Sequence, residues 1–138
     1  FRPIKDVYIT YEDVCNELFK DDYGYFIDVR GKIKHDCVGS NRFDKDNAVT
    51  KRQLEKLLAL NQLLNIAEYF NNKSKSSHED TCSVIYYSTI LDRYYSTNLG
   101  RITTTGLNVI FKNEIDAQAV INNPNFREIL DTIYKWNI

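Results

Sequence analysis

Glycine and proline are scarce in this chain, five and two residues, and methionine is absent. No G-x-x-x-x-G-K-[ST] and no G-x-G-x-x-G occurs, so the backbone cradles that hold nucleotide phosphates are excluded. Neither sign of charge prevails: the net charge is −1, too small to draw nucleic acid or an anionic membrane by a global field. No apolar run approaches the length needed to span a bilayer, so no membrane association is expected. The opening Phe1-Arg2-Pro3-Ile4-Lys5 has neither an apolar core nor a cleavage site, so no secretory signal is visible, and the missing Met leaves room for a trimmed start. Cysteine is sparse and odd in number (Cys15, Cys37, Cys82), which suits free thiols in a reducing compartment better than a disulfide framework.

The remaining signatures of chemistry are also missing. His35-x-Cys37 and His78-x3-Cys82 offer four zinc-type ligands, but their spacing matches no standard zinc module. No local signature surrounds any Cys or Ser that would mark a nucleophile, and G-x-S-x-G is absent. Asp44-Lys45-Asp46-Asn47 lacks the glycine and distal glutamate of a calcium loop. We therefore expect no catalytic, cofactor-binding or metal-ligating residues, and no cofactor.

What is present is patterned for folding. Thr10 with Asp13 caps a short helix over 11–20, with Val14, Leu18 and Phe19 on one side. Alternation over 23–29 and 32–38 around Arg30-Gly31 predicts a β-hairpin, and 39–47 a polar loop. Thr50 and Gln53 form a capping box for a helix over 50–72 that is apolar on nearly every side. At 100° per residue it carries two stripes, Leu54/Leu57/Leu58/Leu64 and Leu60/Leu63/Ala67/Phe70. The first is expected to face the sheet, the second a neighbour or the C-terminal helix. Asn61, within the first stripe, would need a polar partner if buried. After a polar loop over 71–80, strands are expected over 81–90, 93–97, 101–105 and 107–112, with turns at Leu91-Asp92 and Asn98-Leu99-Gly100. Asn113 caps 114–122, Pro124 interrupts, and Asn125 opens a last helix with Phe126, Ile129, Leu130, Ile133 and Trp136 at core spacing. The sum is an α+β fold over 1–138: a single domain with a five- or six-stranded, mostly antiparallel sheet, packed by a long central helix and C-terminal helices.

Two surfaces qualify for binding. The repeat Tyr86-Tyr87-Ser88-Thr89 and Tyr94-Tyr95-Ser96-Thr97 would stack tyrosines across strands on both faces if it pairs about Asp92. Tyr and Ser are also the residues of adaptable protein-binding surfaces, although an A/T-rich genome alone would enrich tyrosine. Tyr86, Tyr87, Tyr94 and Tyr95, with Leu60, Leu63 and Phe70 of the long helix, are the candidate protein interface. Tyr25, Arg30, Lys32 and Lys34 are a smaller candidate patch for single-stranded nucleic acid, the less favoured partner.

Three segments carry a resemblance. Thr50, Gln53, Ala59 and Leu63 fit T-x-x-Q-x-x-x-x-x-A-x-x-x-L. Phe111 to Asp131 fits F-K-x-x-x-D-A-x-x-V-I-x-N-P-N-F-R-E-I-L-D. Tyr25, Ile27, Asp28, Gly31 and Ile33 fit Y-x-I-D-x-x-G-x-I. Together they resemble small proteins of unassigned activity from phages and mobile elements of gut-type bacteria. Those proteins usually have a tryptophan-rich loop after the central helix, whereas residues 71–80 here contain no tryptophan. The resemblance implies an origin in a phage or mobile element and no mechanism. The expectation is a non-enzymatic protein-binding domain, an anti-defence inhibitor acting on a host protein in the bacterial cytoplasm. A virion or assembly component and a single-strand binding module are the alternatives. The partner is a host protein or a second copy of the chain.

Overall fold

The computed structural model describes residues 8–20, 23–37, 47–74, 82–100 and 109–135. It is an α+β protein. Its elements run α1 (Tyr11–Leu18), β1 (Tyr23–Ile27), β2 (Ile33–Cys37), α2 (Lys51–Lys73), β3 (Cys82–Ser88), β4 (Arg93–Gly100), α3 (Glu114–Asn122), a 3-10 turn (Pro124–Phe126) and α4 (Arg127–Tyr134). The chain forms two compact units, Phe1–Glu55 and Lys56–Ile138. Among the described residues the strands make two antiparallel two-stranded sheets, β1–β2 and β3–β4, where the sequence led us to expect one sheet of five or six. The predicted strand over 101–105 and the helix end at Trp136 lie outside the described residues, as do His78 and most of the two predicted polar loops.

In the first unit, local hydrogen bonds define each element. The Thr10 side chain accepts the Asp13 amide at 3.2 Å, and the Asp13 carboxylate accepts the Thr10 amide at 2.8 Å. These bonds, the Thr10 amide foremost, hold the Asp13 carboxyl below its ordinary pKa. The buried residues of this part are Cys15 and Phe19, not the Val14/Leu18/Phe19 side expected, and Leu18 is exposed. Phe26 packs on Cys15, Phe19 and Ala48 as a small cluster. The hairpin turns on Asp28, whose carboxylate accepts the amides of Arg30 and Lys32, each at 2.9 Å. Gly31 sits at φ 78°, the left-handed region that a glycine enters freely. The Tyr25 amide donates to the Val49 carbonyl at 3.0 Å, which covers part of the free edge of β1.

In the second unit, α2 is the backbone of the core. The expected capping box at its start is present: the Gln53 amide donates to Thr50 Oγ1 at 3.2 Å, and Gln53 Oε1 accepts the Thr50 amide at 2.9 Å. Ala59, Leu63 and Ala67, spaced by four, form one ridge that packs with Ile85, Tyr94, Val109, Phe111, Val120 and Leu130. The expected orientation therefore fails in part: of the first stripe Leu54 is buried and Leu58 half-buried, but the other two members are not. The stripe through Leu63 and Ala67 faces the β3–β4 sheet, while Leu57 and Leu64 are 50% and 48% exposed. Asn61 is exposed, so water satisfies its amide.

The end of α2 is tied to the chain leading into α3. Asn71 donates to the Ile110 carbonyl at 2.9 Å and accepts the Lys112 amide at 2.8 Å, acting as a surrogate strand partner. Phe111 pairs with Ser83 by two backbone bonds of 2.8 and 2.9 Å, a single bridge on the second edge of β3. Asn113 caps α3 by accepting the Asp116 amide at 2.9 Å, as expected. The later cap differs from expectation: Asn123, not Asn125, accepts a main-chain amide, that of Asn125 at 2.9 Å, and Pro124 then starts the 3-10 turn. Asn98 and Gly100 were expected to turn and instead extend β4.

Candidate functional site

The repeated Tyr-Tyr-Ser-Thr pairs as its alternation requires. Tyr86 lies opposite Tyr95 and Tyr87 opposite Tyr94, so the β3–β4 hairpin has one tyrosine pair on each face. The two faces have different environments.

The inner face is built into the core. Tyr94 is 6% exposed. Its hydroxyl donates to Asp131 Oδ1 of α4 at 2.7 Å, and the Tyr134 ring meets it edge-on with centroids 5.8 Å apart. The Arg127 guanidinium lies 5.0 Å from the Tyr94 ring centre. Lys135 Nζ lies 4.8 Å from the Tyr87 ring centre, 3.6 Å from Asp131 and 3.9 Å from Asp92, while the Tyr87 hydroxyl bonds Asp92. Burial, with the Asp131 carboxylate second, pushes the Tyr94 hydroxyl well above the ordinary phenol pKa, and burial pushes Tyr134 up to about 12. One strand turn away, Ser96 donates to Glu114 at 3.1 Å and accepts from Gln118 at 2.7 Å, fixing β4 to α3.

On the outer face the described aromatic and cation contacts lie within the hairpin itself. Tyr86 is 43% exposed and stacks on Tyr95, with ring centroids 5.4 Å apart and an interplanar angle of 15°. Arg93 lies over the Tyr95 ring at 4.4 Å and its Nε bonds the Tyr95 hydroxyl. The hairpin closes through Thr89, Ile90, Leu91 and Asp92. Ser88 Oγ accepts the Leu91 amide at 3.2 Å, and Asp92 takes φ 49°, a conformation Asp tolerates. Ile90 and Leu91 are left 92% and 60% exposed at the tip.

Of the predicted interface residues, Tyr94 and Leu63 belong to the core and leave the surface patch. Leu60, Phe70 and Tyr87 are half-buried against that core. Tyr86 remains exposed, and its stacking partner Tyr95 is half-buried. Ile90 and Leu91 were missed. The available signal was two aliphatic residues at a turn where Gly, Asn, Asp or Ser is the usual choice.

The predicted nucleic-acid patch is divided by the pleat. Tyr25 pairs with His35, and Phe26 pairs with Lys34. Tyr25 and Lys34 therefore project from opposite faces of the β1–β2 hairpin, Lys32 shares the Lys34 side by alternation, and Arg30 sits in the turn. Tyr25 and the two lysines therefore do not share a surface, and the ring on the lysine face, Phe26, is half-buried on Cys15, Phe19 and Ala48. The Tyr25 face instead forms an open cleft of about 350 Å³ lined by Leu18, Phe19, Tyr23, Tyr25, His35 and Thr50. In the second unit, a more apolar groove of about 480 Å³ runs between Ile66, Tyr69 and Phe70 of α2 and Phe126, with Asn65 and Asn123 at its margins.

Among the described residues no group of three or more metal-ligating side chains converges, and no helix is long and apolar enough to cross a membrane. Cys15, Cys37 and Cys82 are all free thiols. A scan of protein-family models, a search of curated proteins and a search of solved structures each return no match.

Proposed function

We propose that this chain is a non-enzymatic binding protein of phage or mobile-element origin. It attaches to a host protein through the outer face and tip of the β3–β4 hairpin and inhibits that protein in the bacterial cytoplasm as an anti-defence factor. The observation that carries the reading is the exposed Ile90-Leu91 tip beside the Tyr86/Tyr95/Arg93 stack. Two large aliphatic side chains in water at a turn do nothing for the fold, and a turn has better residues to choose from. Tyrosine and arginine are the side chains that most often dominate interface energetics, and a stacked pair arrives with little rotamer freedom left to lose. The opposite face, held by Asp131, Lys135 and Glu114, gives this surface a rigid base. The resemblance of the central helix and closing segment to small phage proteins supports the origin and hence a bacterial target.

The test is affinity capture from a gut-bacterial lysate with wild type and with the Ile90→Ser/Leu91→Ser and Tyr86→Ala variants. The reading expects one host protein retained by wild type and lost from both variants at unchanged melting temperature. Equal retention by all three would overturn it.

A further inference from the structure

The cleft of the first unit is a second, separate site. Antiparallel register places Tyr23, Tyr25 and His35 on one face of the β1–β2 hairpin. The Tyr25 amide is bonded to Val49, so Tyr25 and His35 form a non-hydrogen-bonded pair, the kind whose side chains approach most closely. The His35 ring meets Tyr23 edge-on with centroids 5.7 Å apart and Tyr25 at a tilt with centroids 6.0 Å apart. The result is a strip of three rings, walled by Leu18 and Phe19 at the end of α1 and by Thr50. Tyr23 is 52% exposed, so the strip is open to a ligand.

Size and chemistry narrow what such a cleft accepts. About 350 Å³ is near the lower limit for small-molecule pockets, enough for one ring system with a modest substituent. The walls mix apolar and polar surface, and among the described lining residues there is no lysine, arginine, aspartate or glutamate. Two phenols, an imidazole and the Thr50 hydroxyl supply donors and acceptors around the rings; Thr50 spends a lone pair on the helix cap and keeps its hydrogen. A ring with polar edges suits this lining better than a phenyl or indole side chain, which has few groups to offer it. Among the described residues the basic side chains Lys32 and Lys34 belong to the other face, and no lysine or arginine lines the cleft.

We propose that this cleft binds a nucleobase, as the free base or nucleoside, by stacking on the Tyr23/His35/Tyr25 strip, with no requirement for phosphate. This site is independent of the β3–β4 hairpin.

The experiment is titration of the full chain with adenosine and with cytidine, followed by tyrosine and histidine side-chain NMR at 50 and 500 mM salt. N-acetyl-tryptophanamide and a short oligothymidylate are run as comparators. Saturable shifts at Tyr23, Tyr25 and His35 are expected with at least one nucleoside. The affinity should be unchanged by salt and at least about fivefold weaker in Tyr23→Leu and in His35→Gln, the scale of losing one stacking platform. Both positions are exposed, so both variants should fold, as amide spectra will verify. No saturable shift with either nucleoside overturns the proposal, as does tighter binding of the tryptophan analogue. Binding confined to the oligonucleotide, steeply weakened by salt and lost on Lys32→Ala/Lys34→Ala, overturns it in favour of a phosphate-reading surface. A failed capture from lysate leaves this result unaffected, because the two readouts use different units of the chain.

Discussion

The β1–β2 hairpin has two strands of five residues, turns on a glycine, and packs one half-buried phenylalanine on a cluster of three buried residues. The β3–β4 hairpin has strands of seven and eight residues, turns on Asp92 and contributes Ile85 and Tyr94 to a cluster of twelve buried residues among those described. A two-stranded ribbon is barely stable alone, so each depends on what lies against one face. The difference teaches where stability and exposure are each concentrated. The first hairpin rests on local bonds, above all those of Asp28, and leaves an open aromatic cleft. The second commits Ile85 and Tyr94 of its inner face to the core and carries aliphatic side chains in water at its tip.

The largest expected effect separates the two cores. Phe111→Ala, at a fully buried side chain, should cost about 3–5 kcal/mol, and Phe26→Ala less than half of that. Urea unfolding followed by amide exchange, residue by residue, will read the two units apart. Similar losses in both would mean that the smaller cluster is deeper than its three buried residues suggest.

Next come the two sides of α2. Leu63→Ala should cost about 2–5 kcal/mol, while Leu57→Ala and Leu64→Ala, half in water, should each cost about 1 kcal/mol or less. Equal costs in the same unfolding assay would contradict the assigned orientation of the helix.

The tyrosine pairs give a smaller contrast. Tyr94→Phe removes a hydrogen bond to a partly exposed carboxylate and should lower stability by about 1–2 kcal/mol. Tyr95→Phe, on the outer face, should stay within about 0.5 kcal/mol of wild type.

Tyr94 and Tyr134 set an alkaline limit. Their pKa values are raised on folding, so the native state holds their protons longer than the unfolded chain does. Their contribution to stability is complete below the ordinary phenol value and is lost as pH rises from about 10 towards and beyond 12. Tyrosinate absorbance should show two late-titrating phenols that ionise together with unfolding. Ten tyrosines titrating alike near the ordinary value would contradict this.

Much of this was legible in the sequence, for local reasons. The capping boxes at Thr10 and Thr50, the Asn113 cap and the tyrosine register follow from side chains acting on backbone a few residues away or across one turn. The helix orientation was not legible, because both stripes of α2 are leucine-rich, while two of the three residues on the buried Ala59/Leu63/Ala67 ridge are alanines that an apolar pattern hardly marks. Nor could the sequence say which tyrosine of each doublet turns inward: Asp131 and Tyr134, some forty residues further on, decide that for Tyr94. Asn123 and Asn125 are chemically equal as caps, and the position of Pro124 separates them. The exposed tip was legible in principle, since aliphatic residues at Ile90 and Leu91 break the turn rule.

On the proposed reading the inner face of the β3–β4 hairpin holds the fold, and its outer face and tip bind a partner. A photo-crosslinking residue substituted for Tyr86 and irradiated in host lysate tests this most directly. The account predicts one dominant adduct with a host protein from position 86, and none from position 69 beside the α2 groove. Adducts from position 69 with none from 86 would contradict it.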